Sequence, residues 1–237
     1  MKQEFLKQTG ASRLLIFFAG WGMDARPFTA LHATQEEDIM ICYDYRTDNF
    51  RTDLLSGYTS VRILAWSMGV WMSMYVWSRM GQKLPGVQSA IALNGTPFPI
   101  DTQRGIDPRV FRLTLHSLIR EEAVLKFYER MYETDTGFQN FLNKRPQRSV
   151  NELREELKSI ADRYEKNKES IALSAAPFLW KRAFISQSDR IFPASAQQTA
   201  WRNTTEVSFL KGGHWPFPEV ETEEDERLLQ TDFYFSE

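Results

Sequence analysis

The chain has 237 residues, of which 42% are hydrophobic and 14% aromatic, and its net charge is −2. This composition can build a substantial core, which argues against wholesale disorder. The near-neutral charge gives no reason to expect nucleic acid or an anionic membrane as a partner. The length fits one α/β domain with an insertion, or at most two small domains.

The number of cysteines and the length of the apolar runs indicate which kinds of protein this chain can be. Cys42 is the single cysteine, which excludes an internal disulfide and a multi-cysteine metal site. It lies in an apolar run, as is typical of a buried structural thiol. The first residues, MKQEFLKQ, lack an apolar signal region, and the longest apolar run, residues 14–19, is too short to span a bilayer. We therefore expect a soluble cytoplasmic protein with no membrane span.

The first strands lead into a glycine-rich loop. Residues 4–7 form a possible edge strand, and residues 14–18 are continuously apolar, as expected of a strand buried on both faces of a parallel sheet. The sequence AGWG follows directly at residues 19–22. Such a loop either presents backbone N–H groups to a ligand or is a simple turn, and both readings stay open at this point.

A short helix and a second buried strand come next. Residues 27–32 predict the helix, with His32 at the surface beside a polar stretch. Residues 39–43 predict the strand, which ends at Asp44. An acid at the carboxyl end of a strand could be catalytic, but we interpret Asp44 as a residue that stabilises its loop.

Ser67 lies at the centre of the most informative stretch. Three apolar residues, Val61, Ile63 and Leu64, lead through AWSMG, residues 65–69, into a segment that predicts a helix. This helix is apolar nearly all round and ends at Gly81. A strand, a sharp turn with a serine at its tip and a helix form the nucleophile elbow of serine hydrolases. The motif alone arises by chance in about one chain of this length in six. An ordinary turn therefore stays open until the rest of the chain is considered.

The pattern then divides the chain. Residues 87–93 predict another strand, and strands alternating with helices indicate a mostly parallel sheet. Strand signals stop over residues 100–168. We predict an α/β core over residues 1–99 and 169–237 that carries a helical lid insertion, residues 100–168.

Two helices are predicted inside this insertion, over residues 121–133 and 151–166. Ser149, with Glu152 three residues later, marks a capping-box start for the second helix. His116 lies among leucines, so a packed or rim histidine is favoured over a catalytic one. At the other end of the chain, the acidic tail at residues 219–226 predicts a solvated helix start.

An acid and a histidine follow the last two predicted strands. Asp189 comes after the strand at residues 182–185, and His214 comes after the strand at residues 207–210, behind two glycines. Ser67, Asp189 and His214 thus occur in the chain order of the α/β-hydrolases. Three positions that agree in order and context favour an active serine hydrolase with an α/β-hydrolase fold.

The roles follow from the chemistry. His214 would take the proton of Ser67 during attack and return it to the leaving alcohol, and Asp189 would fix the tautomer of the imidazole. The backbone N–H groups of Trp21 and Met68 would receive the developing oxyanion. The glycine loop lacks both phosphate-binding glycine patterns, so we expect no nucleotide or flavin cofactor and no metal.

Six segments give a specific resemblance. The chain is similar to the BioG-type pimeloyl-[acyl-carrier-protein] methyl ester esterases of biotin synthesis in FFAGWGMD, CYDYR, AWSMGVW, LNGTPFPID, SDRIFP and KGGHWPF. The resemblance implies an α/β-hydrolase with a small helical lid and a triad at Ser67, Asp189 and His214. It also implies the reaction, hydrolysis of the methyl ester of pimeloyl-acyl-carrier protein, which releases methanol and ends chain elongation.

A basic cluster bears on the carrier protein. Lys144, Arg145 and Arg148 lie in a stretch without acids, before the second predicted helix. An acidic carrier could dock there, although a solvated helix end is favoured, because bases and acids are mixed over the rest of residues 101–168. Two other functions stay open: a general short-chain carboxylesterase, and a non-catalytic binding protein with the hydrolase fold.

Overall fold

A seven-stranded sheet forms the centre of the protein. The computed structural model describes residues 1–33, 36–80, 85–173, 180–217 and 223–235. The strands are β1 (Lys2–Lys7), β2 (Arg13–Phe18), β3 (Asp38–Tyr43), β4 (Ser60–Trp66), β5 (Val87–Leu93), β6 (Trp180–Ser186) and β7 (Glu206–Leu210). The helices are α1 (Gly69–Met80), α2 (Pro108–Ser117), α3 (Glu121–Glu129), α4 (Asp135–Lys144), α5 (Val150–Leu173), α6 (Ala194–Trp201), α7 (Glu223–Leu229) and α8 (Thr231–Phe235).

The strand order across the sheet is β1-β3-β2-β4-β5-β6-β7. β1 runs antiparallel to β3, and every other neighbouring pair is parallel. The carboxyl ends of the parallel strands therefore meet at one edge of the sheet. Phe18 of β2 pairs with Ala65 of β4, so the loops that follow these two strands start side by side.

The core forms on both faces of this sheet. The described side chains of β3 are all buried, as are those of β2 after its first residue, because helices cover both faces. α1 is buried over its first nine residues, from Gly69 to Trp77. The predicted α/β-hydrolase fold, with a mostly parallel sheet flanked by helices, is confirmed.

Four helices, α2 to α5, lie between β5 and β6. The predicted helix over residues 121–133 ends four residues earlier, at Glu129, because Thr134 starts α4 by accepting a hydrogen bond from the Gly137 N–H at 3.3 Å. The helix predicted over 151–166 continues to Leu173. Sequence reasoning missed α2 and α4, which are each only ten residues long.

The predicted capping box is present at the start of α5. The backbone N–H of Ser149 donates to the Glu152 carboxylate at 3.0 Å, and the N–H of Glu152 donates to the Ser149 hydroxyl at 3.3 Å. Both first-turn donors are thereby satisfied, as a capping box requires. His116 is exposed on α2.

The helix predicted over residues 27–32 is wrong. A single 3-10 turn spans Arg26–Phe28. The backbone of His32 instead pairs with the C-terminal segment: its N–H donates to the Leu229 carbonyl at 3.2 Å, and its carbonyl accepts from the Thr231 N–H at 2.9 Å. These bonds replace the ones that a longer helix would need.

Two further predictions concern the acidic tail and membrane-spanning helices. The acidic helix start predicted over residues 219–226 falls partly outside the described residues, and α7 begins at Glu223. Throughout the described ranges, no helix combines the length and the apolar character that crossing a bilayer demands.

Candidate active site

Ser67 lies in the sharp turn between β4 and α1, with its backbone in the left-handed region at φ 59°. This turn leaves no room for a side chain beside it. A Cβ at Gly69 would lie 2.2 Å from the Phe18 carbonyl oxygen, and one at Gly95 would lie 2.3 Å from the Ser67 carbonyl oxygen. Glycine is therefore required at both positions for the elbow to pack against the sheet.

The structure brings Ser67, His214 and Asp189 together. The distance from His214 Nε2 to Ser67 Oγ is 2.9 Å, and that from His214 Nδ1 to Asp189 Oδ2 is 2.8 Å. All three residues are buried, with His214 only 1% exposed. Both distances lie within the range for proton transfer from a serine to an oriented imidazole.

Asp189 is held as an acceptor by its own loop. Its Oδ1 accepts from the backbone N–H groups of Ile191 and Phe192, each at 2.8 Å. Its Oδ2 accepts from Gln197 Nε2 at 3.0 Å, in addition to His214. Each of these contacts places a donor group against a carboxylate oxygen, so the Asp189 side chain is held in one orientation beside His214. Sequence reasoning missed Gln197, whose only signal is its place in the helix after the loop.

The histidine loop is fixed from two sides. Trp66 Nε1 and Asn94 Nδ2 both donate to the His214 carbonyl, each at 3.0 Å. The imidazole also stacks on Phe192, with ring centroids 5.9 Å apart and planes at 10°. Asn94 was missed by sequence reasoning, although a polar residue directly after β5 was a signal for the carboxyl edge of the sheet.

The loop at residues 19–22 lies beside the elbow. Gly20 faces the Trp66 ring, where a Cβ would approach to 2.9 Å, and Gly22 has φ +83°. Both features demand glycine. Across the described residues, no acceptor takes a hydrogen bond from the backbone N–H of Trp21 or of Met68. These two donors lie in the loop after β2 and in the elbow after β4, which start side by side.

An apolar cavity lies over the serine. Ser67, Met68 and His214 line its base, and the walls are largely apolar. Wall residues come from the segment between β5 and β6, namely Ile106, Val110, Phe111, Phe127, Met131 and Leu157. Arg130 is the lining residue with a permanent charge, and it is exposed at the end of α3. Such walls favour an apolar ligand, because transfer of apolar groups out of water is favourable.

A charged network lies behind the loop at residues 19–22. Arg148 contacts Glu156 at 2.6 Å and Asp44 at 2.9 Å, and the Arg148 and Asp44 side chains are each 4% exposed. Burial raises the pKa of Asp44, but hydrogen bonds from Arg46 and the charge of Arg148 outweigh it and hold the pKa at about 2. Burial raises the pKa of Glu156, and the charge of Arg148 opposes that rise.

The predicted carrier-docking role of Arg148 is wrong. Its guanidinium is buried between Asp44 and Glu156, so it cannot contact a protein at the surface. Arg145 pairs with Glu121 at 2.8 Å near the surface, and Lys144 is exposed at the end of α4. The three residues therefore do not form one basic patch.

Comparison with known proteins gives the family. The family model for the pimeloyl-ACP methyl esterase BioG matches residues 1–224. A malonyl-[acyl-carrier protein] O-methyltransferase of Bacteroides fragilis is 44% identical over 91% of this chain, which spans 40% of that protein's length. The crystal structure of BioG from Haemophilus influenzae is 29% identical, with a TM-score of 0.85 over 100% of both chains. A Burkholderia cenocepacia aryl esterase structure shares the fold, at 16% identity and a TM-score of 0.67 over 98% of this chain and 92% of that one. The chain belongs to the BioG family of pimeloyl-ACP methyl esterases.

Proposed function

We propose that this protein is a serine esterase that hydrolyses the methyl ester of pimeloyl-acyl-carrier protein in biotin synthesis. The observation that carries the proposal is the hydrogen-bonded chain from Ser67 through His214 to Asp189 at the base of an apolar cavity. Family membership supports the substrate. The relative from Bacteroides fragilis is named for O-methylation of malonyl-acyl-carrier protein, and O-methylation of a carboxylate yields a carrier-linked methyl ester.

The reaction runs in two halves. Ser67 Oγ attacks the ester carbonyl carbon while His214 Nε2 takes the hydroxyl proton, which gives a tetrahedral oxyanion. The C–O bond to the methoxy group then breaks, His214 returns the proton, and methanol leaves. Water next attacks the acyl-enzyme with its proton going to His214, and the collapse of this second intermediate releases the free acid and restores the Ser67 hydroxyl.

The protein supplies electrostatic stabilisation in both halves. Asp189 holds the Nδ1 proton of His214, so Nε2 faces Ser67 with its lone pair. The N–H groups of Trp21 and Met68 form the proposed oxyanion hole. One such donor is typically worth about 3 to 4 kcal/mol of transition-state stabilisation.

Helices α2 to α5 form the proposed lid over the acyl chain. The carrier would dock where the cavity opens, because the chain must pass from the carrier to Ser67. Arg130 lines both the cavity and an adjoining groove that Arg120 and Lys126 also line. These three exposed bases, with Glu122 beside them, suit an acidic carrier better than the divided cluster at residues 144–148.

The function is tested by comparing two substrates. The wild-type protein should hydrolyse a carrier-linked pimeloyl methyl ester with a much higher kcat/KM than p-nitrophenyl butyrate, and Ser67→Ala should abolish both activities. Complementation of a biotin auxotroph that lacks its own esterase gives the cellular readout. Preference for the free ester would favour a general carboxylesterase, and no labelling of Ser67 by a fluorophosphonate would favour a binding protein.

The docking site is tested by reversing charge in two places. Arg120→Glu with Lys126→Glu should lower kcat/KM for the carrier-linked ester about tenfold or more, and leave p-nitrophenyl ester hydrolysis unchanged. The matched control is Lys144→Glu, at the last residue of α4, combined with Arg145→Glu directly after it. A larger effect from the control pair would move the docking surface to that end of α4.

A further inference from the structure

Glu156 of α5 holds the backbone of the loop that supplies the proposed oxyanion hole. Its Oε2 accepts from the Gly22 N–H at 3.2 Å, and its Oε1 accepts from the Tyr45 N–H at 2.8 Å. The residue is fully buried, and Arg148 Nη1 donates to the same carboxylate at 2.6 Å. Glu156 is an acceptor in all three bonds, as an ionised carboxylate is.

The peptide groups of Gly22 are held on their other side as well. The Tyr128 hydroxyl, from α3, donates to the Gly22 carbonyl at 3.0 Å. Trp21 is fixed one residue earlier, because its indole Nε1–H donates to the Leu153 carbonyl of α5 at 2.8 Å. The residue after Trp21, Gly22, is therefore held through both its N–H and its carbonyl, and Trp21 is held through its side chain.

The loop has one further anchor on the sheet side. The Ala19 N–H donates to the Cys42 carbonyl at 3.0 Å, and the Tyr45 hydroxyl donates to the Ala19 carbonyl at 2.7 Å. The sheet thus fixes the start of the loop, and α3 and α5 fix its end. Gly20 lies between these anchors and Gly22 at the second one. Neither has a Cβ to restrict its backbone, so the loop depends on its hydrogen bonds for a single conformation.

From these contacts we infer that Glu156, assisted by Tyr128, is a positioning residue that aims the Trp21 N–H at the oxyanion. This inference rests on the proposed serine esterase chemistry and deepens it. A buried carboxylate is costly unless it is fully hydrogen-bonded. Here one of its three bonds holds Gly22, in the loop that supplies the proposed oxyanion donor, and a second holds Tyr45, whose hydroxyl bonds to Ala19 at the start of that loop.

The test measures the oxyanion hole separately from substrate binding. Glu156→Gln keeps the shape of the side chain. Its amide oxygen would stay at the Oε2 position, where Gly22 and Arg148 donate, and its NH2 group would face the Tyr45 N–H, which then has no acceptor. We expect this to displace Tyr45, whose hydroxyl holds the Ala19 carbonyl at the start of the loop. We expect kcat for p-nitrophenyl acetate to fall about 10- to 100-fold with KM changed less than about twofold, because an interaction made in the transition state is lost. Affinity for a phenylboronic acid, which forms a tetrahedral adduct on Ser67, should fall in parallel with kcat.

Glu152→Gln is the matched control. Glu152 lies on the same helix as Glu156 and forms an ion pair with Arg46 at 2.8 Å. The substitution removes this ion pair and keeps the capping box. Its kcat should stay within about twofold of wild type. The inference is overturned if Glu156→Gln keeps wild-type kcat, or if Glu152→Gln loses as much as Glu156→Gln does.

A second variant serves if Glu156→Gln does not fold. Tyr128→Phe removes only the hydroxyl that donates to Gly22, and kcat should fall about 3- to 10-fold. Tyr75→Phe, which removes a partly buried hydroxyl bonded to Asp48 at 3.1 Å, is its control and should have no effect on kcat. Unchanged kcat in Tyr128→Phe overturns the inference.

The outcomes separate this inference from the proposed function. Hydrolysis of p-nitrophenyl acetate that is lost in Ser67→Ala establishes the serine chemistry whatever the natural substrate is. A normal kcat in either Glu156→Gln or Tyr128→Phe then overturns only the positioning role. Failure on the carrier-linked ester alone overturns only the proposed substrate.

Discussion

Replacing Asp189 by asparagine should reverse the tautomer of His214. The Oδ1 position accepts from two backbone N–H groups that cannot move, so the amide oxygen of the new side chain would be held there and its NH2 group would lie at the Oδ2 position. That NH2 would face His214 Nδ1, which is 2.8 Å from Oδ2. Nδ1 must then present its lone pair, the proton moves to Nε2, and Nε2 can no longer accept the Ser67 proton.

Gln197 cannot relieve this change. Its Nε2 donates to the Phe192 carbonyl at 2.7 Å as well as to Asp189 at 3.0 Å, so rotating its amide would place an oxygen against that carbonyl. We therefore expect Asp189→Asn to lower kcat by about 1,000- to 10,000-fold. At about 1.36 kcal/mol for each factor of ten, this is roughly 4 to 5.5 kcal/mol of transition-state stabilisation.

The assay is the initial rate of p-nitrophenyl acetate hydrolysis, with the midpoint of thermal unfolding measured on the same samples. Asp107→Asn is the control, because Asp107 caps α2 by accepting from the Arg109 N–H at 2.7 Å and asparagine caps equally well. A loss of less than tenfold in Asp189→Asn would refute the argument that Asp189 sets the tautomer.

Three further predictions concern stability. Gly69→Ala should destabilise the protein by about 2 kcal/mol or more in urea unfolding, because its Cβ meets a backbone oxygen at 2.2 Å, whereas Gly86→Ala, with nothing within 4 Å, should be nearly neutral. Arg148→Ala should lower the free energy of unfolding by about 3 to 5 kcal/mol, because it leaves buried acids unpaired. Arg145→Ala, at the surface, should lower it by about 1 kcal/mol or less, and equal losses would contradict the burial argument. The pKa of Asp44 is lowered in the folded state, so the ionised carboxylate stabilises the protein above pH 3.8, and this contribution is lost as the pH falls through about 2. In Asp44→Asn, the free energy of unfolding should depend less on pH over that range.

The triad could be predicted because its placement follows from chain order. Ser67, Asp189 and His214 each follow a parallel strand, and parallel strands bring their carboxyl ends to one edge. The sequence shows where such strands end, so it also shows which loops meet. Trp21 and Met68 follow β2 and β4, which are neighbours in the sheet. Their oxyanion role was predicted from the chemistry of hydrolases and stays a proposal.

The helices between β5 and β6 could not be predicted to the same degree. α2 and α4 are short, and the signals that start them are single capping residues, Asp107 and Thr134. Arg148 was misjudged because no acid lies between Asp135 and Glu152, and the sequence does not show that Glu156, two turns into α5, pairs with it. Its partner Asp44 comes from the loop after β3, and only the three-dimensional packing of α5 against that loop reveals the pair.

Helices α5 and α2 differ in how firmly they are attached to the rest of the protein. Along its length, α5 holds Gly22 through Glu156 and the carbonyls of Tyr45 and Arg46 through Arg163. α2, in contrast, leaves Leu113 69% exposed and Val110 42% exposed. In the proposed esterase, an engineer could therefore exchange Val110, which lines the cavity, to change which acyl chains are accepted, while α5 keeps the loop at Gly22 in place. New substrates would then be acquired without rebuilding the catalytic apparatus.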